Sequence, residues 1–302
     1  MSFIRLISLS EGSEIMTYIA YFFIFNISLI FLDTLVDFFE STKRRWKDTG
    51  ANFIIFISSQ LLDKTVLGSV GVMCLMPFHW LTPLSIPMSL GTWVLAFFMA
   101  DLTYYWMHRV QHKHRILWAL HSVHHSSKDY NLSVAFRLSM INGLTEWIFL
   151  IPMILGGFTP FQAIAGLVLV TQYQTWVHTK HIGKLGWVDQ VFNTPSVHRV
   201  HHGINKKYLN KNYGGFLIIW DRIFGTYQKE EEKVFYGLTK NIRTYNPLII
   251  NFIEFKNIFK DVQNCRTWKD RFRIIFGGVS WSPYYFKNEK LIPKNTLSKN
   301  IT

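Results

Sequence analysis

Long apolar blocks separated by short basic segments organise the chain. Ile15 to Phe38 is apolar, with acids only towards its end. It is long enough to cross the roughly 30 Å hydrocarbon layer as a helix. No basic segment directly precedes it and no small-residue cleavage site follows, so it reads as an anchor and not as a cleaved signal. Phe53 to Phe78 is a second block, interrupted by Asp63 and Lys64, and Ile86 to Trp106 is a third. Leu144 to Phe158 and Phe161 to Val177 are a fourth and a fifth, joined at Gly156-Gly157-Phe158-Thr159-Pro160. These last two are short and fit either two full spans or a re-entrant hairpin. After about Thr244, Phe252, Phe255, Phe259 and Val262 recur at helical spacing with Lys256, Lys260 and Arg266 between them. That pattern fits a helix on the membrane surface or one packed on the rest of the protein.

The pattern predicts an all-α, polytopic integral membrane helical bundle of about four to five membrane helices. Three regions follow: an N-terminal hairpin over 1–85, a central membrane and metal-binding domain over 86–240, and a basic tail over 241–302. Basic residues set the orientation. Lys43, Arg44, Arg45 and Lys47 follow the first block; Arg109, Lys113, Arg115, Lys128 and Arg137 follow the third. No Lys or Arg lies between Phe78 and Ile86. One topology fits: N-terminus outside, C-terminus cytosolic.

Composition agrees with lipid as the solvent. Hydrophobic residues make up 49% of the chain and charged residues 17%, with a mean hydropathy of +0.13. An average soluble domain carries about 25% charged residues. A disordered chain, a coiled coil and a nucleic-acid-binding tail protein are excluded, and the +13 net charge points to cytosolic loops and anionic lipid. Two cysteines, Cys74 and Cys265, form neither a disulfide framework nor a Cys-rich zinc site.

The chemistry lies in the histidines. Eleven of the 12 fall between His108 and His202. His108 and His112 form H-x3-H, and His178 and His181 form H-x2-H. His121, His124 and His125 form H-x2-H-H, repeated by His198, His201 and His202. Residues three and four apart share a helix face, so each cluster is expected to aim its imidazoles in one direction. The topology brings all of them to the cytosolic membrane face as a histidine-rich cap. Unpaired buried imidazoles are costly, and imidazole suits iron, zinc and copper. Nine or ten ligands, with His181 the marginal one, exceed the four to six of a single ion, so two ions per chain are expected. Asp101, two turns before His108, is a candidate partner for a ligating imidazole. His114 faces away from the cluster and His79 lies on the opposite membrane side. A redox-capable pair of metals beside lipid suits oxygen activation on an unactivated C–H bond. A histidine-rich metal transporter is the alternative of a different class, although its ligands belong near the bilayer midplane.

Several motifs together carry a resemblance. They are Tyr104 to Arg109, His121 to Ser127, Tyr130-Asn131-Leu132-Ser133, Asn193 to Ser196 and His198 to Gly203. Lys211-Asn212-Tyr213-Gly214-Gly215, Ile219 to Thr226 and Tyr236-Gly237-Leu238 complete the set. Over about residues 90 to 240 the chain resembles the fatty acid hydroxylase/sterol desaturase superfamily, closest to its alkylglycerol monooxygenase-like branch. The resemblance implies two irons held by histidines at the cytosolic face and insertion of one oxygen atom of O2 into a membrane lipid. It also implies an electron donor, tetrahydrobiopterin or another external reductant. In the branch the carbon beside an ether oxygen is hydroxylated, and the hemiacetal falls apart. A fatty acyl or sterol-type substrate is the alternative within the superfamily. Lys113, Lys128, Leu138, Val197 and His181 depart from the usual residues, and no core histidine is lost.

Overall fold

The computed structural model describes residues 3–39, 44–284 and 286. Lys43 and the tail beyond 286, both placed on the cytosolic side by the charge pattern, lie outside the described residues. Within them all regular elements are helical, with only isolated bridges between extended segments.

The first helix, α1, runs Phe3–Phe39, and α2 runs Trp46–Ser59. A π-helical stretch, Gln60–Leu67, carries α2 into α3, Gly68–Leu81. The interruption expected at Asp63 and Lys64 is therefore a local widening of one continuous helix. By length and composition Glu14–Phe39 and Trp46–Leu81 are long and apolar enough to cross a membrane. Both present large apolar side chains outward, among them Tyr21, Phe25 and Phe31 on α1 and Ile54, Ile57 and Met73 on α2 and α3. Apolar surface on that scale suits lipid better than water.

Helix α4, Leu90–Lys113, starts at Ser89, whose hydroxyl accepts from Thr92 N while the Thr92 hydroxyl accepts from Ser89 N. It runs seven residues past the apolar block and so lifts His108 and His112 beyond it. His114 breaks the helix with extended backbone, and α5, Arg115–His125, turns back across the end of the bundle. Helices α6, Gly143–Leu155, and α7, Pro160–Tyr173, have only 13 and 14 residues. At 1.5 Å per residue each reaches about 20 Å, short of a full crossing. They form a tight hairpin on α3 and α4, with Leu75, Ala96, Ala100, Met153, Ile154, Leu167 and Val170 in the shared core. Gly166 sets the α4–α7 spacing: a Cβ there would lie 2.9 Å from Ala100 Cβ and 3.0 Å from the Ala96 carbonyl oxygen.

Beyond α7 the chain is mostly loop, with two short helices, α8 (Pro195–His201) and α9 (Ile219–Ile223). Two capped helices follow, α10 (Pro247–Gln263) and α11 (Trp268–Phe276). Phe255, Ile258 and Val262 of α10 pack with Ala119 of α5 and Ile274 of α11, while Phe252 and Phe259 face outward. The tail helix is thus packed on the protein along one face and apolar along the other.

Candidate metal centre

Nine histidines converge where α4, α5 and α8 meet the segment after α7. They fall into two groups. His108, His112, His121, His125 and His201 form one, and His124, His178, His198 and His202 the other; within each, the available ring nitrogens lie within 4.8 Å of one another. The clusters do not each aim one way. On α5 the i and i+4 rings, His121 and His125, join the five-histidine group and His124 joins the four. On α8 and its end the assignment is reversed: His198 and His202 join the four and His201 the five. Helical geometry explains the split. Positions i and i+4 are about 40° apart, whereas i+3 lies about 60° to the other side of i.

Three rings are oriented by carbonyl oxygens. His108 Nδ1 donates to the Tyr213 carbonyl at 2.9 Å, His178 Nδ1 to that of Gln174 at 2.7 Å, and His201 Nδ1 to that of Lys211 at 3.0 Å. A carbonyl only accepts, so in each ring the proton is on Nδ1 and the Nε2 lone pair points inward. His108 Nε2 lies 2.9 Å from His121 Nε2, His121 Nε2 3.1 Å from His125 Nε2, and His125 Nε2 3.0 Å from His201 Nε2. The two outer rings bring lone pairs, so His121 and His125 would each have to donate outward. Their own contact would then set proton against proton. No placement of protons on neutral rings makes all three contacts hydrogen bonds. In the second group His178 Nε2 meets His124 Nε2 at 3.2 Å and His198 Nε2 at 3.0 Å, and His198 Nε2 meets His202 Nε2 at 3.2 Å. His112 Nε2 is buried with no partner at all.

A cation resolves this arrangement. Nitrogens bound about 2.1 Å from one ion stand roughly 3.0 to 3.4 Å apart. The observed separations, 2.9 to 3.2 Å, lie at the short end of that range, and the donor set fits two imidazole-bound ions. The rings are also kept neutral, as ligands must be. Burial, reinforced by neighbouring imidazoles, holds His121, His124, His125, His198 and His202 well below the usual histidine range, and burial brings His201 down to about 4.

His181 is not brought to either group. Its side chain is 62% exposed and its ring nitrogen lies 3.9 Å from an Asp37 carboxylate oxygen. It lies past the bend at Lys180, beyond the turn after α7 that aims His178. Asp101 does not meet a histidine either: two turns of helix exceed the reach of a carboxylate. It accepts instead from Phe216 N (2.6 Å), Leu217 N (3.1 Å) and Trp220 Nε1 (2.8 Å). His114 Nδ1 pairs with the Phe276 carbonyl, away from the centre.

The supports were not visible as such in the sequence. Asp221 accepts from Tyr213 N at 2.8 Å, Gly214 N at 2.7 Å and the Thr226 hydroxyl at 2.6 Å, and burial raises its carboxyl to about 6. Asn193 Nδ2 donates to the Gly214 and Gly215 carbonyls. Asp101 and Asp221 together clamp the 213–217 strand of loop that presents the Tyr213 carbonyl to His108. Gly215 is needed there, since a Cβ would come within 2.5 Å of Val170 Cγ1. Arg137, fully buried, fixes the end of α5. Its Nε donates to the Val123 carbonyl and the Ser126 hydroxyl, and its Nη1 to Asp48 (2.9 Å) and Asn52 (2.7 Å).

A cavity of about 510 Å³ opens beside the histidines. His121, His124 and His178 form part of its wall; Met107, Leu150, Ile164, Leu167 and Val168 line much of the rest.

Fold and site together define a helical protein with two buried groups of histidines, each able to hold a metal ion, at the end of an apolar bundle. Residues 93–226, which hold all nine histidines, match the Fatty acid hydroxylase family model, and the resemblance read from the motifs holds over this region. Alkylglycerol monooxygenase of Homo sapiens is 46% identical over 193 residues, covering 64% of this chain and 43% of that protein. The Danio rerio alkylglycerol monooxygenase is 42% identical over 195 residues, 65% of this chain and 44% of the relative. A Delta(7)-sterol 5(6)-desaturase of Aspergillus fumigatus is 30% identical over 165 residues, 54% of this chain and 43% of the relative. The chain thus matches less than half the length of each of these relatives. No solved structure matches it.

Proposed function

We propose that the protein is a membrane-embedded di-iron oxygenase that uses O2 to hydroxylate a C–H bond of a lipid, with an ether lipid of the alkylglycerol class as substrate. The observation that carries this reading is the apolar cavity whose wall includes imidazoles of both histidine groups. His108, His112, His121, His125 and His201 would hold one iron, and His124, His178, His198 and His202 the other. The irons supply the redox chemistry that O2 activation and an unactivated C–H bond require, which acid–base side chains cannot provide. The chain's own residues prepare the site. The carbonyls of Tyr213, Gln174 and Lys211 fix the ring protons on Nδ1, so that the Nε2 lone pairs face inward. Met107, Leu150, Ile164 and Leu167 hold the lipid chain in place and keep water from the reacting carbon. Hydroxylation beside an ether oxygen gives a hemiacetal, which falls apart to an aldehyde and a glycerol without further help. Electrons come from an external donor, tetrahydrobiopterin or another reductant. The basic segments support placing the centre and the C-terminus on the cytosolic side. A fatty acyl or sterol-type substrate is the second reading, favoured by the match to the sterol desaturase.

The test is purified protein loaded with iron and given reductant, isotopically labelled O2 and each lipid class in turn. Label in the lipid product is expected, with alkylglycerol turned over fastest. Product oxygen drawn from water, or no product from any lipid, overturns the monooxygenase reading.

A further inference from the structure

Two polar side chains in the cavity are buried without a partner for one of their amide atoms. Gln111, on the face of α4 that also carries His108, is only 2% exposed, and its Nε2 meets no acceptor. Asn142, just before α6, is 8% exposed, and its Oδ1 meets no donor. The Asn142 amide cannot turn over to hide this. Its Nδ2 donates to the Glu146 carboxylate at 2.5 Å, and a flip would set oxygen against oxygen. Leaving such atoms unpaired costs more than a typical hydrogen bond gains, so their persistence beside the metal centre calls for a ligand. Both line the same cavity as His121, His124 and His178. One offers an N–H and the other a carbonyl oxygen, and a hydroxyl group can accept from the first and donate to the second. Glu146 adds a carboxylate to the same wall, and among the described residues that line the cavity there is no Lys or Arg. A neutral hydroxyl needs no counter-charge to enter such a wall.

We propose that Gln111 and Asn142 are the specificity-determining pair of the cavity: they seat the free hydroxyls of the lipid headgroup against the histidine centre. This rests on the lipid-oxygenase reading above and deepens it, naming the headgroup class and the residues that select it.

Binding is measured on the iron-loaded full chain in detergent without O2, so that no turnover intervenes. Two probes share one alkyl chain: an alkylglycerol with both hydroxyls free and the same lipid with both hydroxyls methylated. The free diol is expected to bind about tenfold or more tightly than the methylated lipid, the scale of one or two lost polar contacts. Gln111→Leu and Asn142→Leu are each expected to weaken diol binding about tenfold, to leave the methylated lipid nearly unchanged and to retain two irons. In turnover they raise KM far more than they lower kcat. Should either variant fail to fold, the ranking of the two lipids by the unaltered protein still decides. Equal binding of diol and methylated lipid, or folded variants that keep the full preference, overturns the hydroxyl pair while leaving the oxygenase reading in place. Binding of none of the lipids overturns both.

Discussion

The two histidine groups are neighbours built to different standards. The five-histidine group rests on a loop: its His108 and His201 are oriented by the Tyr213 and Lys211 carbonyls, and Asp101, Asp221 and Asn193 hold that loop in place. The four-histidine group has one ring held by a carbonyl, His178 through Gln174 at the end of α7. It also contributes two of the three rings that line the cavity, His124 and His178. The richer group is the better braced, and the poorer one is the more open to a ligand. An ion with fewer protein ligands keeps more positions for what is to react. Bracing and openness are thus divided between the two positions.

The largest effects should come from removing a ligand of either group. His201→Ala is expected to lower iron from two to one or fewer per chain and turnover by more than about a hundredfold, beyond what losing a partner of a ligand costs. Elemental analysis with activity on the same sample checks this; full iron and full turnover would refute the ligand assignment. Next comes Arg137→Met, which strands the buried Asp48 carboxylate and frees the end of α5. Breaking a buried pair costs about 3–5 kcal/mol. Because α5 serves both groups, both irons should be lost together as the protein destabilises, read by thermal unfolding and metal content.

Asp221→Asn separates the groups. It weakens the clamp on Tyr213 N and Gly214 N and should lower affinity at the five-histidine position about 10–100-fold while sparing the other. Stepwise chelation followed by spectroscopy would report one labile and one retained iron; equal loss at both positions would erase the distinction drawn here. The smallest effect is at His181, exposed and outside both groups. His181→Ala should stay within about 0.5 kcal/mol in stability and leave the iron content unchanged.

The gathering of the histidines was legible because helical spacing writes itself into the sequence as H-x3-H and H-x2-H-H. Its division into five and four was not, since His124 and His125 are adjacent in the chain and serve different groups. Adjacent helical positions diverge by about 100°, and which ring belongs where depends on helices brought together only by the fold. Asp101 read as a partner for a ligating imidazole, which it is not: its actual partners, Phe216, Leu217 and Trp220, lie more than a hundred residues away and leave no local pattern. The basic residues carried a mixed message. Arg44, Arg115 and Arg137 counted towards orientation, yet each is held in ion pairs, with Asp33 and Asp37, with Glu254 and Asp261 and with Asp48. Their acids are too distant or too weakly patterned to betray the pairing. The short fourth and fifth apolar blocks already hinted at the hairpin that α6 and α7 form.

The reversed assignment of rings on α5 and α8 makes helical phase, as much as residue identity, the quantity that the sequence must preserve. A single residue inserted between His121 and His125 would delete no histidine. It would swing every ring beyond it by about 100° and hand each to the wrong neighbour. The same holds between His198 and His202. The chain can therefore vary in composition along these two segments while their length stays fixed, much as a key tolerates wear on its faces but no change in the spacing of its cuts.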